Sequence, residues 1–267
     1  MSHTALIGTG VMGETLLAGL LKAGWAAADI VGADRRLSRR QELEGRYGVR
    51  CLPEASDAVA GADTVLLLVK PQDVPDLLPE LAPHLGEGTL LVSLCAGVTT
   101  AQIEQALPAG TPVVRVMPNT PAQVAEGMAA ISAGAYASEV DVEKAVHIME
   151  AVGQAVVVPE RYQDAVTAIS GSGPAYLFFV VEAMIDAGVM LGLPRDISTK
   201  LVNQTMFGSA KLLVESDKHP NLLREMVTSP AGTTAAALRR LEERSVKAAF
   251  MDAMEAARNR SLELGGS

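Results

Sequence analysis

The sequence predicts an α/β fold in two parts: a mostly parallel sheet over residues 1–160, and an all-helical domain over residues 161–267. Two observations predict this division. Short β-rich runs alternate with amphipathic helical patterns as far as residue 158, which is typical of βα units that place their strands side by side. From residue 162 onward there is no convincing strand pattern, and long helical stretches are interrupted at glycine and proline residues.

Composition and charge narrow the class of protein. Hydrophobic residues make up 49% of the 267 residues and charged ones 20%, which is typical of a globular chain. The net charge of −9 disfavours nucleic acid as a partner, because nucleic acid binds basic surfaces. Cys51 and Cys95 lie far apart without metal-ligand spacing, so we expect reduced thiols, no metal centre and a cytoplasmic location. Glu182 and Asp186 interrupt the apolar stretch 175–193, so no membrane span is expected.

Six strands are predicted in the first half. They cover residues 4–8, 30–33, 64–69, 89–94, 113–117 and 155–158. The runs 64–69 and 89–94 are apolar at nearly every position, as in strands that helices cover on both faces. The second half is rich in Ala, Val, Leu and Met, and we expect a second copy of the chain to complete its core.

A glycine-rich motif follows the first strand directly. Gly8-x-Gly10-x-x-Gly13 has the spacing of the dinucleotide-binding turn, in which the first glycine makes the turn, the second lets the backbone approach a pyrophosphate, and the third allows close helix–strand packing. The sequence therefore predicts a Rossmann-like domain. Its predicted cofactor contacts here are Ile7, Gly8, Thr9, Gly10, Val11, Met12 and Gly13.

The choice between NADPH and NADH depends on three residues after the second strand. Asp34 lies where a carboxylate would accept a hydrogen bond from the adenosine ribose 2′-OH and repel a 2′-phosphate. Arg35 and Arg36 follow at once and could bind that phosphate. The two signals oppose each other, and we predict NADPH, with NADH as the alternative.

Three further strand ends carry loops that we assign to the cofactor crevice, because ligands of open α/β sheets gather at the carboxyl ends of strands. Small residues in one of these loops leave room for a flat ring, and two prolines in another make a rigid wall. Lys70 is open to three interpretations: a catalytic base, a group that positions the cofactor, or a lysine at the rim. The predicted contacts are Val69, Lys70, Pro71, Cys95, Ala96, Gly97 and Asn119.

Two glycine- and hydroxyl-rich segments lie in the second half. Residues 170–176, Ser-Gly-Ser-Gly-Pro-Ala-Tyr, predict the tight, capped start of a buried helix, with Pro174 in its first turn. Residues 229–234, Ser-Pro-Ala-Gly-Thr-Thr, predict a second helix N-terminus, whose backbone N–H groups could bind a carboxylate. Thr233 and Thr234 could equally be helix caps, and the sequence leaves both interpretations open.

Seven motifs in order along nearly the whole chain resemble those of the pyrroline-5-carboxylate reductases, which make L-proline. They are the glycine motif at 7–13, Val-Lys-Pro at 69–71, Cys-Ala-Gly-Val at 95–98, Met-Pro-Asn-Thr-Pro at 117–121, the segments 169–176 and 228–234, and Gly-Leu-Pro at 192–194. The resemblance implies hydride transfer from NAD(P)H to the ring C=N bond of 1-pyrroline-5-carboxylate. It also implies a homodimer formed through the C-terminal helices, in some members assembled into larger rings such as decamers.

The resemblance also implies roles for individual residues. Thr234 would be the catalytic hydroxyl that hydrogen-bonds the imine nitrogen and donates a proton. Ala231, Gly232 and Thr233 would bind the substrate carboxylate through backbone amides, and Glu160 would lie near the bound ring. The family usually has glycine at the position of Ala231. Two other functions remain open: a β-hydroxyacid dehydrogenase, although 171–179 contains no lysine for it, and a non-catalytic NADP(H) sensor.

Overall fold

The computed structural model describes residues 3–266. Eight strands form one sheet in the order β3-β2-β1-β4-β5-β6-β7-β8, and every neighbouring pair is parallel except the antiparallel pair β6 and β7. The strands are β1 Thr4–Ile7, β2 Ile30–Ala33, β3 Arg50–Leu52, β4 Thr64–Leu67, β5 Leu90–Ser93, β6 Val113–Met117, β7 Gly127–Ala133 and β8 Gly153–Val157. The predicted α/β fold with a mostly parallel sheet is thus confirmed.

The helices separate most of the strands and make up the second half of the described chain. They are α1 Val11–Lys22, α2 Leu37–Tyr47, α3 Ala55–Val59, α4 Val74–Leu81, α5 Thr100–Gln105, α6 Glu139–Glu150, α7 Gln163–Val166, α8 Gly173–Met190, α9 Arg195–Glu215, α10 Pro220–Met226, α11 Thr233–Glu243 and α12 Val246–Leu264. A π-helical segment, Thr167–Gly171, joins α7 to α8.

The sheet is covered on both faces, as the apolar runs predicted. Every residue of β4 and β5 is buried. Alternate residues enter two separate hydrophobic clusters, with Leu66 in one and Val65 and Leu67 in the other, because successive side chains of a strand point to opposite faces. Such burial fits strands whose two faces are both packed by helices.

The strands β3 and β7 were not predicted from the sequence. β3 is only three residues long, lies at the edge of the sheet and begins with an exposed arginine. β7 contains three alanines and two residues with short polar or no side chains, so its β propensity is low. Its place in the sheet comes instead from pairing with β6 on one side and β8 on the other.

By packing, the described residues form two compact units. One comprises residues 3–172 together with 257–266, and the other comprises Gly173–Ala256. Residues 160–172 and the end of α12 therefore pack with the sheet, whereas the sequence pattern divides the chain near 160. One physical reason is Gln163, which is fully buried and donates from Nε2 to the Ser132 hydroxyl and the Ala130 carbonyl of β7. The division at 160 stays a prediction.

The second unit is helical and leaves large apolar side chains exposed. Its first two helices pack closely, since a Cβ on Gly188 of α8 would collide with the Ser198 side chain of α9. Phe178 and Phe179 are 67% and 72% exposed, and Phe207 is 63% exposed. Patches of this kind mark surfaces that another protein or subunit covers.

The helical run Glu160–Met190 is long and apolar enough to cross a membrane by length and composition. Within the described part of the chain it is the single run that meets this test. A core helix of a soluble protein meets it as well, so the observation is weak evidence for a membrane span.

Candidate active site

At each of the three glycines of the 8–13 motif, the local geometry explains why glycine is present. Gly8 adopts φ +97°, and a Cβ there would lie 2.8 Å from the Leu68 carbonyl carbon and oxygen. A Cβ on Gly13 would collide with the Gly8 carbonyl oxygen, so this glycine lets α1 pack against the turn. Around Gly10 there is open space, because no described atom beyond its own neighbours in the chain lies within 4 Å of the position that a Cβ would take. The motif thus has the shape of a cradle that a backbone-bound pyrophosphate fits.

The backbone N–H groups at the N-terminus of α1, next to this cradle, have no side-chain cap in the described chain. Gly10 is the N-cap of α1, and within residues 3–266 no side chain caps the helix. The first N–H groups of α1 therefore remain available to an anion. Arg39 steadies the turn, because its Nε donates to the Thr9 carbonyl at 2.8 Å and its other nitrogens pair with Glu14 and Glu42. Arg39 and Glu14 are functional candidates that the sequence did not indicate, because their pairing joins two separate helices.

The Asp34 carboxylate is fully engaged by this chain's own donors. Oδ2 accepts from the Thr9 hydroxyl at 2.7 Å and from Arg36 Nη2 at 3.0 Å, while Oδ1 accepts from Arg36 N and Nε at 2.9 and 3.1 Å. Burial alone would raise the pKa of Asp34, but the hydrogen bonds from Arg36 and Thr9 outweigh it and lower the pKa to about 2. Asp34 thus binds Arg36 in the described structure, and its contact with a cofactor ribose stays a prediction. Arg35 is exposed beside this pair.

Loops after β4 and β5 border a groove of about 1090 Å³ at the carboxyl edge of the sheet. Gly97 adopts φ +76°. Lys70 is exposed and Val69 is half-buried, and neither is among the residues that line the groove. The groove is lined by Pro71, Gln72, Val74, Pro75, Leu78, Ala96, Gly97, Val98, Gln102, Gln105, Ala106, Thr167, Ser172, Ala257, Arg260, Ser261, Leu264 and Gly265. Pro71, Ala96 and Gly97 were predicted, whereas the contribution of the chain's C-terminal end was not.

Cys95, just after β5, forms hydrogen bonds to the carboxyl end of β4. Its thiol is 2% exposed and donates to the carbonyl oxygens of Val69 at 3.3 Å and Leu67 at 3.6 Å. Burial raises its pKa to about 11, so the thiol stays protonated at neutral pH. Cys95 is thus suited to hold the loop in place rather than to act as a nucleophile.

Asn119 links the loop after β6 to the π-helical segment. Its Oδ1 accepts the Met128 N–H at 2.8 Å, and its Nδ2 donates to the Ser170 carbonyl at 3.3 Å and hydroxyl at 3.4 Å. These contacts engage both ends of the side-chain amide. A cofactor contact by Asn119 remains a prediction; the observed contacts are structural.

The segment 170–176 contains the start of α8 at Gly173, as the sequence predicts, but a π-helical turn and not a loop leads into that helix. Residues 160–190 form a continuous helical run in which Thr167–Gly171 is π-helical and the Ser172 N–H donates to the Thr167 carbonyl. Pro174 is buried in the first turn of α8, but nothing in the described residues caps that turn through Ser170 or Ser172. The widened π turn places Thr167 and Ser172 along the groove.

The Glu160 carboxylate accepts hydrogen bonds from protein groups, and its place near the substrate ring stays a prediction. Its Oε1 accepts the Thr100 N–H at 2.8 Å and Arg115 Nη1 at 3.2 Å, and its Oε2 accepts the Thr100 hydroxyl at 2.6 Å. Arg115 is 4% exposed. Thr100 and Arg115 are site-forming residues that sequence reasoning missed. An arginine inside an apolar strand pattern was the one signal that could have found this ion pair.

The loop before α11 has the geometry of an anion site in the helical unit. Gly232 is the N-cap, and a Cβ there would collide with the Ser229 side chain. Neither Thr233 nor Thr234 caps the helix in the described structure, so the first backbone N–H groups of α11 are open. Ala231 adopts φ +59°, the left-handed region in which glycine is favoured, which explains the usual glycine at this position of the family.

No cluster of three or more His, Cys, Asp or Glu side chains that could hold a metal ion occurs within residues 3–266. Two helix N-termini without a side-chain cap, one behind Gly10 and one behind Gly232, lie at the predicted sites, and Thr234 adds a hydroxyl at the second. The first is suited to a pyrophosphate and the second to a carboxylate.

Comparison with known families matches both halves of the chain. The family described as pyrroline-5-carboxylate reductase dimerisation matches residues 160–264. The family described as NADP oxidoreductase, coenzyme F420-dependent, matches residues 3–97. The predicted dinucleotide of the NADP type and the expected homo-oligomer both agree with these descriptions.

Individual relatives extend over the full length. The pyrroline-5-carboxylate reductase of Corynebacterium melassecola is 43% identical over 268 residues, which cover 99% of each chain. The solved pyrroline-5-carboxylate reductase of Coxiella burnetii has a TM-score of 0.94 at 35% identity over 98% of each chain. That of Plasmodium falciparum, solved with NADP bound, has a TM-score of 0.88 at 30% identity over 99% of this chain and 98% of its own.

These likenesses decide among the three functions that the sequence left open. They favour neither the β-hydroxyacid dehydrogenase nor the non-catalytic sensor. The chain belongs to the family of pyrroline-5-carboxylate reductases, NAD(P)H-dependent oxidoreductases that act on a C=N bond.

Proposed function

We propose that Thr234 and the backbone of 231–234 form the substrate site of a reductase that converts 1-pyrroline-5-carboxylate to L-proline in the cytoplasm, the last step of proline biosynthesis. The observation that carries the proposal is the N-terminus of α11, which no described side chain caps. A carboxylate binds there because the backbone N–H groups and the helix dipole both favour an anion.

The reaction requires only one proton transfer besides the transfer of hydride. Bound NADPH supplies hydride to the imine carbon, and the ring nitrogen must gain one proton for the product to be a secondary amine. The Thr234 side chain is half-buried, and no hydrogen bond to its hydroxyl occurs within the described residues. A hydroxyl so placed can hydrogen-bond the ring nitrogen of a substrate whose carboxylate is held by Ala231, Gly232 and Thr233. It then orients the ring and passes a proton to the nitrogen.

The first unit supplies the cofactor site in this proposal. The backbone of 8–13 holds the pyrophosphate, and the loops at 69–71 and 95–97 border the nicotinamide. NADPH is the preferred cofactor, because Asp34 already accepts four hydrogen bonds from Thr9 and Arg36 and has little capacity left for a ribose hydroxyl. Arg36, held by Asp34, and the exposed Arg35 can bind the 2′-phosphate together.

The working enzyme is proposed to be a homodimer through its C-terminal helices, with larger rings such as decamers built from it. The exposed Phe178, Phe179 and Phe207 supply the apolar surface that such an interface buries. The same interface accounts for the apolar run Glu160–Met190 without a membrane.

Steady-state rates with pyrroline-5-carboxylate and either NADPH or NADH test this function. We expect turnover with both dinucleotides and a lower KM for NADPH. Dinucleotide binding without turnover would support the sensor instead. Turnover of a β-hydroxyacid in place of the imine would support the dehydrogenase.

A further inference from the structure

The loop after β5, residues 95–99, is fixed at both of its ends. At the first end, the Cys95 thiol donates to the Val69 and Leu67 carbonyls. At the other end, Thr99 caps α5 in a capping box, in which Gln102 Oε1 accepts the Thr99 N–H at 2.8 Å. Between these ends Ala96 is exposed on the groove and Gly97 is left-handed. Movement of the α5 N-terminus would therefore move the groove-lining residues directly.

Glu160 binds the residue next to this cap. Three hydrogen bonds reach its carboxylate: two from Thr100, through the backbone N–H and the hydroxyl, and one from Arg115. The Arg115 side chain is 5% exposed and that of Glu160 is 26% exposed, so the guanidinium fixes the carboxylate from the buried side. Charge-assisted hydrogen bonds of this kind are short and strong. A substrate contact by Glu160 would have to compete with three bonds already made.

We propose that Glu160 is a positioning residue, which acts through Thr100 to hold the 95–99 loop against the nicotinamide, and not a ligand of the substrate. The proposal rests on the proposed function, because that function assigns the loop to the nicotinamide. A further contact holds the same element: Gln102 Nε2 donates to the Gly265 carbonyl at 3.4 Å, and a Cβ on Gly265 would lie 3.2 Å from the Gly97 oxygen. The loop is thus held by four separate contacts: the Cys95 thiol, the Thr99 capping box, the Glu160–Thr100 bonds and the Gln102–Gly265 bond.

A double-mutant cycle on NADPH binding tests this role. The variants are Glu160→Gln, Thr100→Val and the double variant, and the main measurement is the Kd for NADPH by calorimetry without substrate. We expect Glu160→Gln to raise Kd by about 5–10-fold and Thr100→Val by about 3–5-fold, on the scale of one charge-assisted hydrogen bond. The double variant should be no weaker than Glu160→Gln, because the hydroxyl that Thr100→Val removes acts through the same Glu160 carboxylate. Glu80→Gln, on an exposed carboxylate of α4, should leave Kd unchanged.

Two results would overturn the proposal. One is a pair of effects on Kd that multiply in the double variant. The other is a Glu160→Gln variant with a raised KM for pyrroline-5-carboxylate and an unchanged Kd for NADPH, together with a Thr100→Val variant whose Kd for NADPH is that of the wild type. Thr100→Val leaves the Glu160–Arg115 pair intact, so it remains informative if Glu160→Gln unfolds. Wild-type turnover, measured separately, tests the proposed function alone, since the cycle is measured on binding.

Discussion

Replacing Asp34 with asparagine separates two opposite roles for this carboxylate. If Asp34 holds Arg36 for a 2′-phosphate, the variant must bind NADPH more weakly. If Asp34 itself accepts the ribose 2′-OH, the variant must bind NADH more weakly and NADPH more tightly. The four hydrogen bonds that Asp34 accepts favour the first outcome.

The expected change in KM for NADPH follows from the ordering of the Arg36 side chain. Two of the bonds to Asp34 come from its guanidinium, which is otherwise 65% exposed. Without them the arginine must be ordered when NADPH binds, which costs about 1 kcal/mol of side-chain entropy. We therefore expect KM for NADPH to rise about 5-fold and KM for NADH to change less than about 2-fold. Steady-state titration of both dinucleotides measures this, and an improved KM for NADPH would refute the reasoning.

The same substitution has a consequence for stability. Lowering the Asp34 pKa from its ordinary value of 3.8 to about 2 favours the folded, ionised form. This corresponds to about 2 kcal/mol, reduced to about 1 kcal/mol by solvent screening at the exposed arginine. Because the folded-state pKa is the lower one, this stability is fully present above about pH 5 and is lost as the pH falls through about 2.

Urea unfolding of wild type and Asp34→Asn from pH 7 to pH 3 measures that contribution. The difference in unfolding free energy should be about 1 kcal/mol at pH 7 and roughly half of it near pH 3. Glu80→Gln, at an exposed carboxylate of α4, is unfolded under the same conditions as the control variant. A difference that is constant over this range would mean that the Asp34 pKa is not lowered in the folded chain.

Three other substitutions test the remaining assignments. Thr234→Ala should lower kcat by roughly 10²–10³-fold, the scale for a positioned proton donor, and the control Thr234→Ser should keep most of the activity. If the kcat of Thr234→Ala stays within a few-fold of wild type, Thr234 has only a structural role at the helix terminus. Arg35→Ala should raise KM for NADPH much more than KM for NADH, and equal effects would place this arginine in solvent. Ala231→Gly should raise the free energy of unfolding by about 0.5 kcal/mol, because relief of left-handed strain of about 1–2 kcal/mol exceeds the added backbone entropy of glycine; a loss of stability in chemical denaturation would contradict this.

Patterns that depend on neighbours in the chain were predictable. The 8–13 turn is an example, because the conformation of Gly8 and the closeness of Gly13 to the turn are demands of one strand–turn–helix unit. The buried strands β4 and β5 are another, since continuous apolar runs leave no polar face for solvent.

Contacts between distant parts of the chain were not predictable. The polarity of Asn119 suggested a ligand contact, but its partners are Ser170 and Met128, on two other elements. The weakly β-forming β7 is a strand because β6 and β8 lie on either side of it. In both cases local propensity carries no information about which neighbour the topology will bring close.

The sequence by itself determined the α/β class, the dinucleotide-binding turn and the resemblance to the reductase family. These rest on periodicity, on glycine geometry and on motifs read in order, all of which are local. The tertiary structure decided that Asp34 binds Arg36 and Thr9, that Glu160 binds Thr100 and Arg115, and that a π-helical turn at 167–171 leads into α8. The reason is that a polar group's role depends on which donors and acceptors surround it, and only the folded chain brings those groups within hydrogen-bonding distance.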